Sequence, residues 1–299
     1  MSGGQEAGHW ALIVHGGAHE IPPEKQQASR DGVRAALQAG RAVLEAGGSA
    51  LEATEAAIRV LEADPTFNAG YGADLNSDGQ VELDASMMDG VTLDVGAVTA
   101  VRGVRHPISV ARELLREREV LLAAQGARRF AAERGAELCA PDDLISPEQA
   151  QARSDTVGCV ALDRHGHLAA GVSTGGLSGQ RPGRVGDSPQ IGCGFYADNR
   201  VGAVVLTGEG ESLARMVSAT RILSRVDETG PEAAVREVLE AMQARVGGDG
   251  GGLVALPDGQ FGWWHNTPHM SVAYQHAGMP APQVYLKKAE EGEHVQTER

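Results

Sequence analysis

The chain has 299 residues, of which 42% are apolar and 22% charged, enough for a globular core and too apolar for a disordered segment. Its formal net charge of −14 repels phosphate backbones and argues against a nucleic-acid partner. Its three cysteines, Cys139, Cys159 and Cys193, are odd in number and show no CxxC spacing. This excludes a disulfide framework or zinc ribbon and points to free thiols in a reducing, cytoplasmic compartment.

The opening MSGGQEAGHWALIV lacks the basic start and long apolar run of a secretion signal, and no stretch reaches the roughly 18 apolar residues that a membrane span needs. Residues 10–15, WALIVH, predict a buried strand ending at Gly16-Gly17. Over 27–46, Val33, Ala36, Leu37, Gly40, Val43 and Leu44 recur at helical spacing, and Gly47-Gly48 closes that helix. Ser49 and Glu52 form a capping-box pair that opens a second helix, with Leu51, Ala57, Ile58 and Leu61 inward and Pro65 beyond its end. Residues 66–90 read as irregular loop with short strands, 93–101 as a strand, and 107–134 as one charged helix. Periodicity then disappears, and 135–155 reads as an exposed linker.

Beyond the linker the rhythm changes. Residues 156–163 and 167–173 predict a hairpin turning at Arg164-His165-Gly166, and 201–206 another strand. Helices are expected over 211–225 and 231–246, a hairpin over 252–265 turning at Pro257-Asp258-Gly259, and a last strand near 271. No internal repeat is visible. Helices mixed with hairpins favour an α+β fold, an antiparallel sheet with helices packed on it.

The chemistry starts at the junction between Asp155 and Thr156, where a polar linker runs into an apolar strand. A mid-chain threonine hydroxyl has no base beside it. An N-terminal one carries its own α-amine, of pKa roughly 8, and so supplies nucleophile and base together once the chain is cut. Alone, the junction equally suits an ordinary β-branched strand residue. Three further segments bear on that choice. Ser173-Thr174-Gly175-Gly176 follows the hairpin. Pro182 to Pro189, PGRVGDSP, carries Arg184 and Asp187, a cation and an anion able to hold the carboxylate and ammonium of a free amino acid, or to form a plain surface ion pair. Thr207-Gly208-Glu209-Gly210-Glu211 joins a strand to a helix, where backbone N–H groups can face a developing oxyanion.

DTVGCVALD, STGG, PGRVGDSP and TGEGE, in this order, resemble the plant-type asparaginase and isoaspartyl aminopeptidase family of N-terminal nucleophile hydrolases. The resemblance extends upstream to HGGA at 15–18, LEADPTFNAGYGADLN and ELDASMMDG, and downstream to GGLVAL and NTPHM, covering nearly the whole chain. It implies a four-layer αββα sandwich, cut between Asp155 and Thr156 into an alpha subunit of residues 1–155 and a beta subunit of residues 156–299 that remain one structural domain. It implies Thr156 as nucleophile, Thr174 bonded to its hydroxyl, and Asn68 orienting it. Arg184 and Asp187 become the substrate anchors, Thr207 and Gly208 the oxyanion hole, and Gly210 a backbone contact to substrate. It associates the loop from His15 to Gly17 with self-cleavage. No cofactor is implied for catalysis. A structural sodium ion is implied on the carbonyls of Leu61, Glu62, Asp64, Phe67, Ala69 and Tyr71. The partners implied are a small-molecule substrate, asparagine or an isoaspartyl dipeptide, and a second copy in a dimer of cleaved heterodimers.

The chain departs from the family at Ser154-Asp155, where many relatives have His-Gly or a similar pair; an aspartate at the cut is similar to the glycosylasparaginase branch, whereas STGG sides with the asparaginases. Glu209 stands where relatives often carry a small or neutral residue, and matters only if it faces the pocket. The competing readings are a glycosylasparaginase or taspase-like enzyme and an uncleaved binding scaffold. A metal hydrolase built on His165 and His167 lacks a carboxylate ligand pattern, and the glycine run from Gly247 to Gly252 lacks the Lys-Ser/Thr ending of a P-loop.

Overall fold

The computed structural model describes residues 9–147 and 156–293. In chain order these form β1 (Ala11–His19), α1 (Pro23–Glu45), α2 (Ala50–Ala63), β2 (Leu83–Asp89), β3 (Val95–Val101), α3 (Pro107–Leu114), β4 (Leu121–Ala123) and α4 (Ala124–Glu133). There follow β5 (Thr156–Leu162), β6 (Leu168–Thr174), β7 (Phe195–Asp198), β8 (Gly202–Gly208), α5 (Gly210–Met216), α6 (Ser218–Leu223), α7 (Val226–Thr229) and α8 (Pro231–Val246). The last elements are β9 (Gly250–Ala255), β10 (Phe261–His265), β11 (His269–His276), β12 (Gln283–Tyr285) and α9 (Glu290–Glu293).

Two sheets result, a large one ordered β12-β11-β1-β5-β6-β2-β3-β4 and a small one ordered β10-β9-β8-β7. Pairing is antiparallel except for the edge strand β4, which runs parallel to β3. Side chains alternate across a strand, so a strand covered on both faces feeds two cores. Leu12 and Val14 of β1, with Val157, Cys159 and Ala161 of β5, join Leu37, Ala57 and Ile58 of α1 and α2. Ala11, Ile13, Val160 and Leu162 instead meet Ala203, Val205, Leu253 and Ala255 of the small sheet. The opposite face of the small sheet, through Val204, Leu206 and Val254, packs on Leu213, Ile222, Val235 and Leu239 of the later helices. The fold is thus mixed α/β, with apolar cores between helices and sheet and between the two sheets.

The sequence expectations hold for most elements. The capping box forms: Ser49 N–H donates to Glu52 Oε2 at 2.9 Å and Ser49 Oγ accepts Glu52 N–H at 3.3 Å. The single helix expected over 107–134 is instead α3, β4 and α4. Arg116 to Glu119 supplies no apolar residue to continue the stripe, and the Leu121–Ala123 run pairs with β3. The helix expected over 211–225 breaks at Val217, which has φ +50°. There the Gly192 and Cys193 carbonyls accept the N–H groups of Thr220 and Ala219. The segment read as irregular loop with short strands holds β2, a seven-residue strand central to the large sheet. The expected linker is packed over its first part: Leu138 bridges Val104, Cys139 N–H donates to Gly103 O, and Leu144 is buried. Residues 148–155, with Ser154 and Asp155, lie outside the described residues. The three thiols are free, although only Cys159 is fully buried.

One buried carboxylate ties the helices to the strand that ends at Thr174. Glu62 of α2 accepts Ser173 Oγ at 2.7 Å and Ile108 N–H at 3.0 Å, and lies 3.1 Å from His106 Nδ1. Burial pushes its carboxyl up, and these hydrogen bonds pull it back. Glu62→Ala strands all three partners and is expected to cost about 3 kcal/mol of unfolding free energy. Urea titration checks this; a loss under about 1 kcal/mol is what a surface pair gives and contradicts the tie.

Candidate active site

The same period-two alternation places the predicted threonines. The inter-sheet rows Val160–Leu162 of β5, Ala170–Val172 of β6 and Ala203–Val205 of β8 continue, two residues at a time, to Thr156, Thr174 and Thr207 at the strand ends. Three hydroxyls thereby cap one end of an apolar core. Thr156 and Thr174 are direct cross-strand partners in the β5–β6 ladder. Thr156 N–H donates to Thr207 Oγ1 at 3.3 Å. The Thr156 hydroxyl lies 2.9 Å from Ser188 Oγ. Thr174 Oγ1 accepts the Gly176 N–H at 3.0 Å.

Asn68 acts one layer out. Its side chain donates to Gly176 O at 2.7 Å and accepts Asp74 N–H at 2.8 Å, and its carbonyl accepts Gly175 N–H at 2.9 Å. It therefore fixes the turn leaving Thr174. Gly208 has φ +132°, and a Cβ there would sit 2.4 Å from Asp249 O, so only glycine brings this N–H to the end of β8. His15 lies on the same side beside Gly158, its ring against the Thr156 backbone, and burial lowers it to about 3. It is a neutral imidazole beneath Thr156.

A small, tight pocket opens onto these residues, lined by Thr156, Thr174, Arg184, Asp187, Ser188, Gly208 and Gly210 among others. Arg184 forks onto Glu211, Nε at 2.9 Å and Nη2 at 2.8 Å, which holds the Glu211 carboxyl below its usual range. The fork expected for a ligand carboxylate thus has a protein partner on one edge. Asp187 is buried, and its Oδ2 has no hydrogen-bond partner. Burial raises it to about 7; nearby Arg184 opposes the shift, while Glu211 and Asp84 add to it. A buried carboxylate that lines a pocket is a place for an ammonium group. Gly210 packs against both anchors: a Cβ there would sit 2.9 Å from Arg184 Nη2 and 3.0 Å from Asp187 Oδ1. Glu209 does not line the pocket; its carboxylate lies toward Gly248.

Sequence reasoning names six of these lining residues and misses two roles. Ser188 stands in the PGRVGDSP motif, but a serine beside an anchor carries no signal of its own. Glu211 reads as a helix-start acid rather than as the partner of a residue 27 positions earlier.

The carbonyls expected around a sodium ion lie on the last turn of α2 and the loop after it. A Cβ at Gly70 would sit 2.3 Å from Glu62 O, and one at Gly72 2.1 Å from Phe67 O. Glycine at these two positions lets the loop backbone pass close to these two carbonyls, and carbonyl oxygens are donors of the kind a hard cation takes. Among the described residues no group of three or more His, Cys, Asp or Glu side chains could hold a metal, and His165 and His167 donate their N–H groups to Asp163 in a turn.

A family model described as asparaginase matches residues 8–152 and 140–281. The chain is 38% identical to a Danio rerio protein named isoaspartyl peptidase/L-asparaginase, over 89% of this chain and 92% of the relative. A Xenopus laevis protein of the same name is 40% identical over 88% and 91%, and one from Rattus norvegicus 42% identical over 80% and 78%. The chain belongs to the asparaginase family.

The Asp187 carboxylate has a measurable cost. Its folded value of about 7 lies above the ordinary 3.8, so the folded state takes up the proton first as pH falls. Asp187→Asn is therefore expected to stabilise the fold by about 1–3 kcal/mol above pH 7, with the gain shrinking between pH 7 and 4. Thermal melts of both proteins across that window test the sign; a variant less stable than wild type at pH 8 contradicts it.

Proposed function

We propose that this chain is a threonine-type N-terminal nucleophile hydrolase, an isoaspartyl peptidase and L-asparaginase that releases L-aspartate from β-aspartyl dipeptides or L-asparagine. One observation carries the reading: Thr156 and Thr174 line one pocket with the Arg184 and Asp187 pair, and Thr207 is joined to Thr156 by a hydrogen bond. The names of the relatives support the substrate class.

Activation is a cut between Asp155 and Thr156, which yields an alpha subunit of residues 1–155 and a beta subunit of residues 156–299 within one domain. The free amine takes the Thr156 hydroxyl proton, and Oγ1 attacks the side-chain amide carbonyl. Thr207 Oγ1 and the Gly208 N–H steady the oxyanion, each such donor typically contributing roughly 3 kcal/mol. The ammonium returns its proton to the departing ammonia or amino acid, and water then hydrolyses the ester. Thr174 and Asn68 hold the nucleophile's surroundings. Arg184 binds the substrate α-carboxylate through the guanidinium edge that Glu211 leaves open, Asp187 binds the α-ammonium, and the Gly208 and Gly210 backbone completes the cradle. One residue serves as nucleophile and base, so this route calls on no catalytic cofactor.

The cores between helices and sheet and between the two sheets support reading the fold as a four-layer αββα sandwich. A structural sodium ion would be held by the carbonyls of Leu61, Glu62, Asp64, Phe67, Ala69 and Tyr71. The mature form is read as a cytoplasmic dimer of cleaved heterodimers. No helix among the described residues is long and apolar enough to cross a membrane.

Thr156→Ala is expected to abolish both cleavage and hydrolysis. Intact mass of aged protein, with assays on a β-aspartyl dipeptide, L-asparagine and a glycosylated asparagine, reads both. Two fragments from Thr156→Ala, or turnover of the glycosylated substrate alone, overturn the assignment. Because Asp187 must be ionised to hold an ammonium, KM for the dipeptide is expected to rise as pH falls through about 7. A KM flat from pH 8 to 6 removes Asp187 as the amine anchor.

A further inference from the structure

The Thr156 hydroxyl has a neighbour that the proposed mechanism leaves without a task. Ser188 is 1% exposed, its Oγ lies 2.9 Å from Thr156 Oγ1, and it makes no other side-chain hydrogen bond among the described residues. Its backbone is held in turn: Ser86 Oγ of β2 donates to Ser188 O at 2.7 Å, and β2 pairs with β6. Ser86 belongs to the same inward-facing row of β2 as Asp84 and Met88, and is wholly buried. A buried hydroxyl, held through a second buried hydroxyl against the sheet that carries the nucleophile, is placed with little freedom.

We propose that Ser188 is a positioning residue for the nucleophile, its O–H donating to Thr156 Oγ1 so that the threonine's own proton points at the nitrogen that must take it. This rests on the reading of Thr156 as nucleophile. A hydroxyl has one donor hydrogen and two acceptor lone pairs. For attack, the Thr156 hydrogen must lie toward the α-amine, so Oγ1 can only accept from Ser188. In the opposite polarity, Thr156 donates to Ser188 and the amine is left without its proton source. As the Oγ1–carbon bond forms, the Thr156 proton moves to the α-nitrogen and the carbonyl electron pair moves to oxygen. Ser188 keeps its proton throughout and is not the base. Its hydrogen bond strengthens as negative charge grows on Oγ1 and relaxes once the ester forms, so it favours the transition state over the bound substrate.

The test uses cleaved wild type, Ser188→Ala and Ser188→Thr, with kcat and KM for a β-aspartyl dipeptide measured from pH 5 to 9. Loss of one such hydrogen bond is expected to lower kcat about 10- to 100-fold. KM should stay within about twofold, the pH at half-maximal kcat should not move because the amine sets it, and Ser188→Thr should recover most of the rate. Ser188→Ala that folds but cleaves slowly also supports the proposal, since the same hydroxyl makes the cut. If Ser188→Ala fails to fold by circular dichroism, Ser188→Cys, a weaker donor, replaces it with the same fall in kcat expected. An active wild type with kcat unchanged in the variant, a fall in rate carried by KM, or Ser188→Thr no better than Ser188→Ala overturns this role alone. A wild type that neither cleaves nor hydrolyses overturns the reading beneath it as well.

Discussion

The pocket depends on the register of β5 against β6. A slip of one residue would turn every side chain of the strand to its other face, sending the Thr156 hydroxyl into the helix-side core and Val157 between the sheets. The turn at the far end fixes the register. Asp163 Oδ1 accepts the N–H groups of His165 and His167 at 2.8 and 3.1 Å, while Oδ2 accepts Ala50 N–H at 3.1 Å. One carboxylate thus closes the hairpin and joins it to the start of α2. Seven residues away, at the open end, the ladder delivers Thr156 opposite Thr174. The far end thus sets the register, and the other end carries the hydroxyls.

Much of this was legible in the sequence where local pattern decides structure. The α1–α2 hairpin, the β5–β6 hairpin and α8 follow from periodicity, capping and turn residues, and the motifs brought Thr156, Thr174, Arg184, Asp187 and Thr207 to one place. Tertiary pairing decided the rest. β2 is central because β6 and β3 flank it, although its own sequence, between glycine- and asparagine-rich stretches, reads only as a short strand within irregular loop. The break at Val217 exists because the carbonyls at 192 and 193 capture the next N–H groups, a contact between segments 25 residues apart that no window of sequence shows. Ser188 and Glu211 escaped notice for the same reason: each matters through a residue distant in the chain.

The electrostatics of the pocket share the acidic balance of the whole molecule. A chain of net charge −14 concentrates three carboxylates near one arginine. Asp84 is buried and raised to about 6, accepting Thr99 Oγ1 and Ala100 N–H at 2.7 Å each. Asp187 is raised further because it has less hydrogen bonding to offset its burial. Glu211, more exposed and bound to Arg184, moves the other way. Arg184 is therefore the shared counter-charge of the cluster. A ligand bearing both an ammonium and a carboxylate brings one charge to each unsatisfied side without altering the total, whereas a simple anion or a simple cation does not.

The strand order has a consequence for the molecule after a cut before Thr156. In the large sheet, β1 lies between β11 and β5, and β6 pairs with β2, so strands from the two sides of residue 155 alternate. The halves would be threaded together like interlaced fingers, and neither could leave without dismantling the large sheet. Unfolding of the cut form becomes a dissociation and refolding a second-order encounter, so its melting point depends on concentration and its persistence is governed by the rate of opening. The uncut chain alone can regain the fold as a single body, which makes activation, in this architecture, a one-way passage from a refoldable molecule to one that endures only as long as it stays closed.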